Sequence, residues 1–147
     1  MVKIYISSVI DAPADRVWAT IRDFNALPKW HPAIKESHVE GGLPSDRVGC
    51  IRNFNLKDGG NIREQLLTLS DYDYSCTYSI LESPLGVSNY IATLKVTPVT
   101  DGNRSFWHWE GRFTTPAGRE TELAELVAND VYSNGIAAVR QLPELAS

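Results

Sequence analysis

The sequence predicts an α+β fold in which a curved antiparallel sheet of about seven strands wraps around one long C-terminal helix, with two short helices after the first strand. Two observations predict it. Segments of alternating apolar and polar residues follow one another with short turns between them, and the end of the chain repeats apolar residues at helical spacing. Such a curved sheet tends to leave an internal cavity beside the helix. The length of 147 residues fits one domain, which we place at 1–147.

The first predicted elements are a strand and the two short helices. Val2 to Ile10 alternates as a strand. Pro13 then suits the first turn of a helix, and Asp15 suits its positive end. A second short helix is expected from Phe24 to Trp30, where the prolines of this stretch limit its length.

The remaining strands follow in hairpin order. Gly-rich or Asn-containing turns separate them, which indicates antiparallel neighbours. In the last strand Trp107, Trp109, Gly111 and Phe113 share the face expected to point inward. The six strands after the first are predicted at Ile34 to Glu40, Val48 to Leu56, Ile62 to Leu69, Tyr74 to Leu81, Tyr90 to Val99 and Ser105 to Thr114.

The last predicted element is a helix from about Arg119 to Leu142, which would be about 35 Å long. Acidic residues at its start and Arg140 near its end match the helix dipole. Gly135 interrupts it at a cost of roughly 1 kcal/mol relative to alanine, and we expect the missing side chain to leave space on the inner side. The predicted apolar side consists of Leu123, Val127, Val131, Ala138 and Leu142.

Composition and charge exclude several classes of partner. The formal net charge of −4 and the lack of a Lys/Arg cluster argue against nucleic acid, and no apolar run approaches the roughly 20 residues of a membrane span. The three histidines are widely separated and no phosphate-binding loop is present, so neither metal nor cofactor is expected. Met1 to Ile6 has a strand pattern rather than that of a signal peptide, so we expect a cytoplasmic location. The oligomeric state stays open.

Two charged residues occupy positions where the strand pattern calls for apolar ones. Arg52 alternates with Cys50, Phe54 and Leu56, and Glu64 alternates with apolar residues of the next strand. The turn at 57–60 joins the two strands, so the charges are predicted to meet inside. A buried charge is costly unless it is paired. The pair therefore either braces the interior, or binds a polar ligand group through Arg52 and moves a proton through Glu64.

Other polar residues are predicted near this pair. Tyr78 and Tyr90 alternate inward, and a buried tyrosine hydroxyl usually needs a partner, which the pair or a ligand would supply. His31 lies in the link between helix and strand, where it is either a surface or capping residue or a group that meets a ligand acid. The turn at 57–60 is either a simple hairpin turn or a flexible gate.

The order of elements and several motifs resemble the helix-grip superfamily, which includes birch-pollen-type allergens, START domains and bacterial polyketide cyclase/dehydratase-like proteins. The motifs are Ala12-Pro13 with Val17-Trp18, Asp23-Phe24 with Trp30-His31-Pro32, and Ser37 to Gly41. The similarity spans almost the whole chain. It implies a helix-grip fold with a ligand cavity.

Two branches of that superfamily resemble this chain at residues around the predicted cavity. The plant abscisic-acid receptors resemble the chain at Arg52, Glu64, Tyr78 and Ser88 to Tyr90, although their gate and latch sequences are replaced and their cavity lysine aligns with His31. The onion lachrymatory-factor synthase resembles it at Val48 to Arg52, and also at Glu64, Tyr78, Tyr90 and Trp109. The resemblance implies ligand contacts for His31, Arg52, Glu64, Tyr78, Tyr90 and Trp109. The inner face of the sheet and the last helix add the expected wall residues Phe54, Leu56, Phe113, Val127, Val131 and Gly135.

Three functions stay open at this point. The first is binding of a small hydrophobic, partly polar molecule in the internal cavity. The second is an enzyme that cyclises, dehydrates or rearranges such a molecule, with Glu64 and Arg52 as catalytic residues. The third is a partner-binding module like the cochaperone domains of this fold, which would require an exposed apolar surface.

Overall fold

The computed structural model of the chain describes residues 1–145. Over that range it has one seven-stranded antiparallel sheet in the order β1-β7-β6-β5-β4-β3-β2. This confirms the predicted α+β architecture. The strands are β1 (Val2–Ile10), β2 (Ile34–Val39), β3 (Ile51–Leu56), β4 (Asn61–Ser70), β5 (Ser75–Glu82), β6 (Ser88–Val99) and β7 (Arg104–Thr114).

The two short helices lie between β1 and β2. Helix α1 (Ala14–Ile21) follows Pro13 and buries residues three and four apart, namely Ala14, Val17, Trp18 and Ile21. Helix α2 is a single turn, Leu27–Trp30, and is shorter than predicted. Trp18 Nε1 donates to Asp71 Oδ1 at 2.7 Å, which attaches α1 to the β4–β5 turn.

The C-terminal helical segment runs from residue 120 to residue 140 and covers the concave face of the sheet. It consists of α3 (Glu120–Leu126), a π-helical segment (Val127–Ser133) and α4 (Asn134–Arg140). A π-helix has i→i+5 hydrogen bonds, so one extra residue enters the turn. The side of the helical segment that faces the sheet therefore shifts after Val127. The buried residues of the helix are Leu123, Val127, Tyr132, Gly135, Ile136 and Val139.

This shift corrects the predicted apolar side of the helix. Val131, Ala138 and Leu142 are only half-buried, whereas Tyr132 and Val139 are fully buried. The prediction assumed uninterrupted α-helical spacing, and the π segment breaks that spacing in the middle of the element. None of the helices within residues 1–145 is long and apolar enough to cross a membrane.

The predicted space at Gly135 is also wrong. A Cβ atom there would lie 2.9 Å from His31 Cδ2 and 3.2 Å from the rings of Trp30 and Trp109. The glycine lets the helix approach these rings closely rather than leaving room for a ligand. The other inward residues of β7 agree with the alternation, since Trp107, Trp109 and Phe113 are buried.

Candidate functional site

Arg52 and Glu64 stand directly opposite each other on β3 and β4. Each residue is 6% exposed. Arg52 donates from Nε at 2.8 Å and from Nη2 at 2.6 Å, and both bonds end on Oε1 of Glu64. The hairpin places the pair as the sequence predicts, and the guanidinium leaves the second carboxylate oxygen, Oε2, unused.

The guanidinium of Arg52 also contacts Phe24, which lies between the two short helices, and Tyr78 of β5. Its Nη1 donates to the backbone oxygen of Phe24 at 2.9 Å. Its central carbon lies 3.9 Å from the centre of the Phe24 ring and 5.0 Å from that of Tyr78. Stacking between aromatic faces suits a guanidinium well. These contacts tie the first helical region to the sheet, which is the arrangement expected of a brace.

The carboxyl of Glu64 experiences two opposing influences. Burial raises the pKa of Glu64, and the charge and hydrogen bonds of Arg52 act against that rise. Protonation of Glu64 would leave Arg52 as a buried cation without a counter-ion, which is strongly unfavourable. The pair is therefore ionised at neutral pH, with Oε2 of Glu64 as a carboxylate oxygen available for another donor.

Tyr78, Tyr90, Tyr132 and Trp109 form a layer of aromatic rings near the pair, which we call the ring layer. Trp109 Nε1 donates to the Tyr78 hydroxyl at 3.0 Å. The hydroxyl of Tyr90 bonds to that of Tyr132, whose ring stacks on Trp109 at 4.4 Å between centroids. Burial raises the pKa of both Tyr78 and Tyr90, so both hydroxyls keep their protons. Sequence reasoning missed Tyr132, although the five-residue spacing from Val127 was a signal for it.

His31 uses both ring nitrogens within the protein. The backbone N–H of Ala33 lies 3.2 Å from Nδ1, so Nδ1 accepts and Nε2 carries the proton that it donates to Val131 O at 2.8 Å. Burial lowers the pKa of His31, which also favours the neutral ring. His31 therefore fastens the α2–β2 link to the π segment and presents a neutral edge to the interior.

A pH dependence of stability follows from His31. Its folded pKa is below the usual value of about 6.5, so below that pH the unfolded chain takes up a proton that the folded chain does not. The free energy of unfolding should fall as pH drops below 6.5, by at most about 1.4 kcal/mol per pH unit for this residue. Urea unfolding of the wild type and His31→Gln between pH 5 and 7.5 measures it.

Part of that pH dependence should persist in His31→Gln, because burial also lowers the pKa of His108. His38→Gln, at an exposed position, serves as the matched control. Equal pH dependence in the wild type and in His31→Gln would contradict a neutral, buried His31.

An internal cavity of about 230 Å³ lies between the concave face of the sheet and the helical segment. Arg52, Glu64, Tyr78 and Tyr90 line it together with apolar side chains. Ten of the twelve residues proposed from the sequence are in its wall, and Phe113 and Gly135 are not. Phe113 instead stacks against Tyr90 at 5.8 Å. The wall also includes Leu27, Ala33, Ile34, Asp58, Ile62, Ile80, Leu85, Leu126 and Asp130, which were not proposed.

Two of the missed residues are carboxylates near the opening. Asp58 lies in the β3–β4 turn and Asp130 in the π segment, and both are exposed. The Oδ1 atom of Asp58 accepts the Gly60 N–H at 3.0 Å, which fixes this turn. They line the same cavity from elements far apart in the chain. Alternation and spacing carry no signal for this.

A second depression, of about 370 Å³, lies on the outer face of the sheet. Its walls include the exposed side chains of Lys3, Tyr5, Glu110 and Arg112. It does not reach the polar cluster, so we do not assign the ligand to it. Within residues 1–145, no group of three or more His, Cys, Asp or Glu side chains is arranged to hold a metal ion.

The sequence profile of one protein family matches residues 1–144, which is nearly the whole chain. That family is described as polyketide cyclase/dehydrase and lipid transport. The chain belongs to this family. Its fold agrees with the resemblance inferred from the N-terminal motifs.

Known relatives support the same assignment. The abscisic acid receptor PYL7 of Arabidopsis thaliana is 30% identical over 99 residues, which is 65% of this chain and 46% of the receptor, so the match spans about half of the receptor's length. The structure of XoxI from Bacillus cereus has a TM-score of 0.85 and 34% identity, covering 96% of this chain and 94% of that one. An uncharacterized protein from Bacillus thuringiensis has a TM-score of 0.83 and 34% identity, covering 94% and 96%.

Proposed function

We propose that the protein binds one small, hydrophobic, partly polar molecule in the cavity beneath the helical segment. The observation that carries this proposal is the composition of the cavity wall. Most of it is apolar, and Arg52, Glu64 and Tyr78 form a polar cluster within it. Ligand sites in proteins combine apolar walls with a few fixed polar groups in this way. Membership of a family that includes lipid transport, and similarity to a hormone receptor, support it.

A cavity-filling substitution tests the proposal. Val131 is half-buried in the wall, so Val131→Trp should fill the cavity without opening the core. Asn129→Trp adds the same side chain at an exposed position of the same π segment and serves as the matched control. We expect native mass spectrometry of protein purified from its own source to show a bound small molecule in the wild type and Asn129→Trp, and none in Val131→Trp.

Two results would contradict the proposal. An empty wild-type protein would argue against a stably held ligand. The same bound mass in all three proteins would place the ligand outside the cavity.

Catalysis by Glu64 is a second candidate, and one observation favours it. Oε2 of Glu64 receives neither of the two hydrogen bonds that Arg52 donates to the carboxylate, and Glu64 lines the cavity. A carboxylate in that position can accept a proton from a bound molecule and return it elsewhere, as cyclisation, dehydration or rearrangement requires. Arg52 would hold the carboxylate in place.

Comparison of the captured molecules separates catalysis from binding. If Glu64 is catalytic, Glu64→Gln should retain unreacted substrate while the wild type holds product, so the bound masses or fragmentation patterns differ. If the protein only binds, both carry the same molecule. Loss of the fold in Glu64→Gln, seen by circular dichroism, would instead support the bracing role.

A further inference from the structure

We infer that the cavity selects an uncharged molecule about the size of one substituted ring, and that it discriminates against carboxylates. This inference rests on the proposed ligand-binding function and specifies its ligand class. The structure supports it at three places: the inner end of the cavity, the His31 wall and the opening.

The inner end carries no net positive charge. Arg52 is the cation there, and its charge is matched by Glu64 through two contacts of 2.8 Å and 2.6 Å. A third donor of Arg52 is committed to Phe24 O. A ligand carboxylate would therefore meet a neutral pair whose unused oxygen, Oε2, is itself negative. Contact between two like charges is strongly unfavourable in such a site.

The side wall offers no cation either. His31 accepts from Ala33 and donates to Val131, so its ring is neutral and both nitrogens are occupied. To bind an anion, His31 would have to gain a proton on Nδ1 and lose the Ala33 hydrogen bond. The buried position makes that protonation unfavourable.

The opening adds a further barrier to anions. Asp58 and Asp130 line it with two exposed carboxylates. Arg119 lies beside Gly86 in the nearby β5–β6 loop, but its Nε and Nη2 both donate to the carboxylate of Glu122, each at 3.1 Å. The cavity wall contains these two carboxylates but not the neighbouring Lys57, so an entering anion meets like charge there and is disfavoured relative to a neutral molecule.

The polar groups that remain available define what the ligand should carry. Oε2 of Glu64 can accept a hydrogen bond. The Tyr78 hydroxyl already accepts from Trp109, so its own proton can be donated to a ligand. A group with one donor and one acceptor, such as an amide or a hydroxyl, would satisfy both residues.

The volume sets the size of the ligand. A dry protein cavity of about 150 Å³ accommodates a benzene molecule. This cavity, at about 230 Å³, is about half as large again. It therefore has room for one ring with a short polar side chain, or about ten non-hydrogen atoms.

A pair of isosteric probes tests the inference. 2-Phenylacetamide and phenylacetate have the same shape and differ in charge at neutral pH. Calorimetric or NMR titration of the wild type should show binding of the amide, with phenylacetate at least about tenfold weaker, or about 1.4 kcal/mol. Glu64→Gln removes the counter-charge of Arg52, so the preference should reverse toward phenylacetate.

A second variant keeps the test informative if Glu64→Gln does not fold. Asp58→Asn/Asp130→Asn changes only exposed residues, and it should narrow the amide-to-acid affinity ratio by a factor of about three at low salt. Asp11→Asn/Asp101→Asn makes the same net-charge change at exposed positions at the opposite end of the sheet, and it should keep the wild-type ratio.

The outcomes separate this inference from the proposed function. Equal or tighter binding of phenylacetate in the wild type overturns the charge selection. If neither probe binds while native mass spectrometry shows a ligand that Val131→Trp removes, the ligand class is wrong but the binding function stands. If Val131→Trp leaves the captured ligand in place, the binding function itself fails.

Discussion

Replacing Arg52 by methionine is expected to lower the free energy of unfolding by about 3–5 kcal/mol. The substitution keeps an apolar stem but leaves the carboxyl of Glu64, a residue that is 6% exposed, without its counter-charge. It also removes the hydrogen bond to Phe24 O and the stacking on the Phe24 ring. Urea denaturation at pH 7 measures the change.

Two further variants show whether the loss comes from the orphaned charge. The double variant Arg52→Met/Glu64→Leu should recover most of the stability, because a buried pair can be replaced by apolar side chains at little cost. Arg119→Met breaks an exposed ion pair with Glu122 and should change stability little. If Arg52→Met is as mild as Arg119→Met, the pair does not brace the interior.

Gly111→Ala is expected to destabilise the fold by about 3 kcal/mol through overpacking. A Cβ atom at this position would lie 2.2 Å from the hydroxyl oxygen of Tyr132. Tyr132 has no easy alternative position, since its ring stacks on Trp109 and its hydroxyl bonds to Tyr90. The change should also displace the ring layer, because Tyr132 belongs to it.

A double-mutant cycle with Tyr132→Phe checks the cause. Removing the hydroxyl leaves Cζ of the ring as the nearest atom, at 3.3 Å from the added Cβ. In that background Gly111→Ala should cost about 1 kcal/mol or less. Urea denaturation of the four proteins measures the free energies of unfolding. An equal loss from Gly111→Ala in both backgrounds would show that contact with the Tyr132 hydroxyl does not cause the destabilisation.

The position of the Arg52–Glu64 pair could be predicted from local sequence pattern. Strand residues alternate with a period of two, and a short turn fixes the register of its hairpin. These two rules were enough to place Arg52 opposite Glu64 and to turn Tyr78 and Tyr90 inward. Most of the predicted cavity wall follows from the same alternation, because the inner residues of adjacent strands share one surface.

The buried side of the C-terminal helix could not be predicted from local sequence pattern. Val131, Ala138 and Leu142 fit an ideal α-helical stripe, and the structure buries Tyr132 and Val139 instead. The π segment is compatible with the sequence, but packing against β7 selects it. In the helix with the extra residue, Tyr132 lies over Gly111, and Gly135 lies against Trp30 and Trp109.

The sequence by itself determined the order of the elements, the family, the buried charge pair and most of the apolar wall, because each depends on neighbours within one strand, hairpin or motif. Only the tertiary structure decided which carboxylate oxygen of Glu64 is left unused by Arg52, that His31 is neutral and that Asp58 and Asp130 line the cavity. These properties depend on contacts between residues far apart in the chain and on the orientation of single side chains. They are also the properties on which the proposed selection of an uncharged ligand rests.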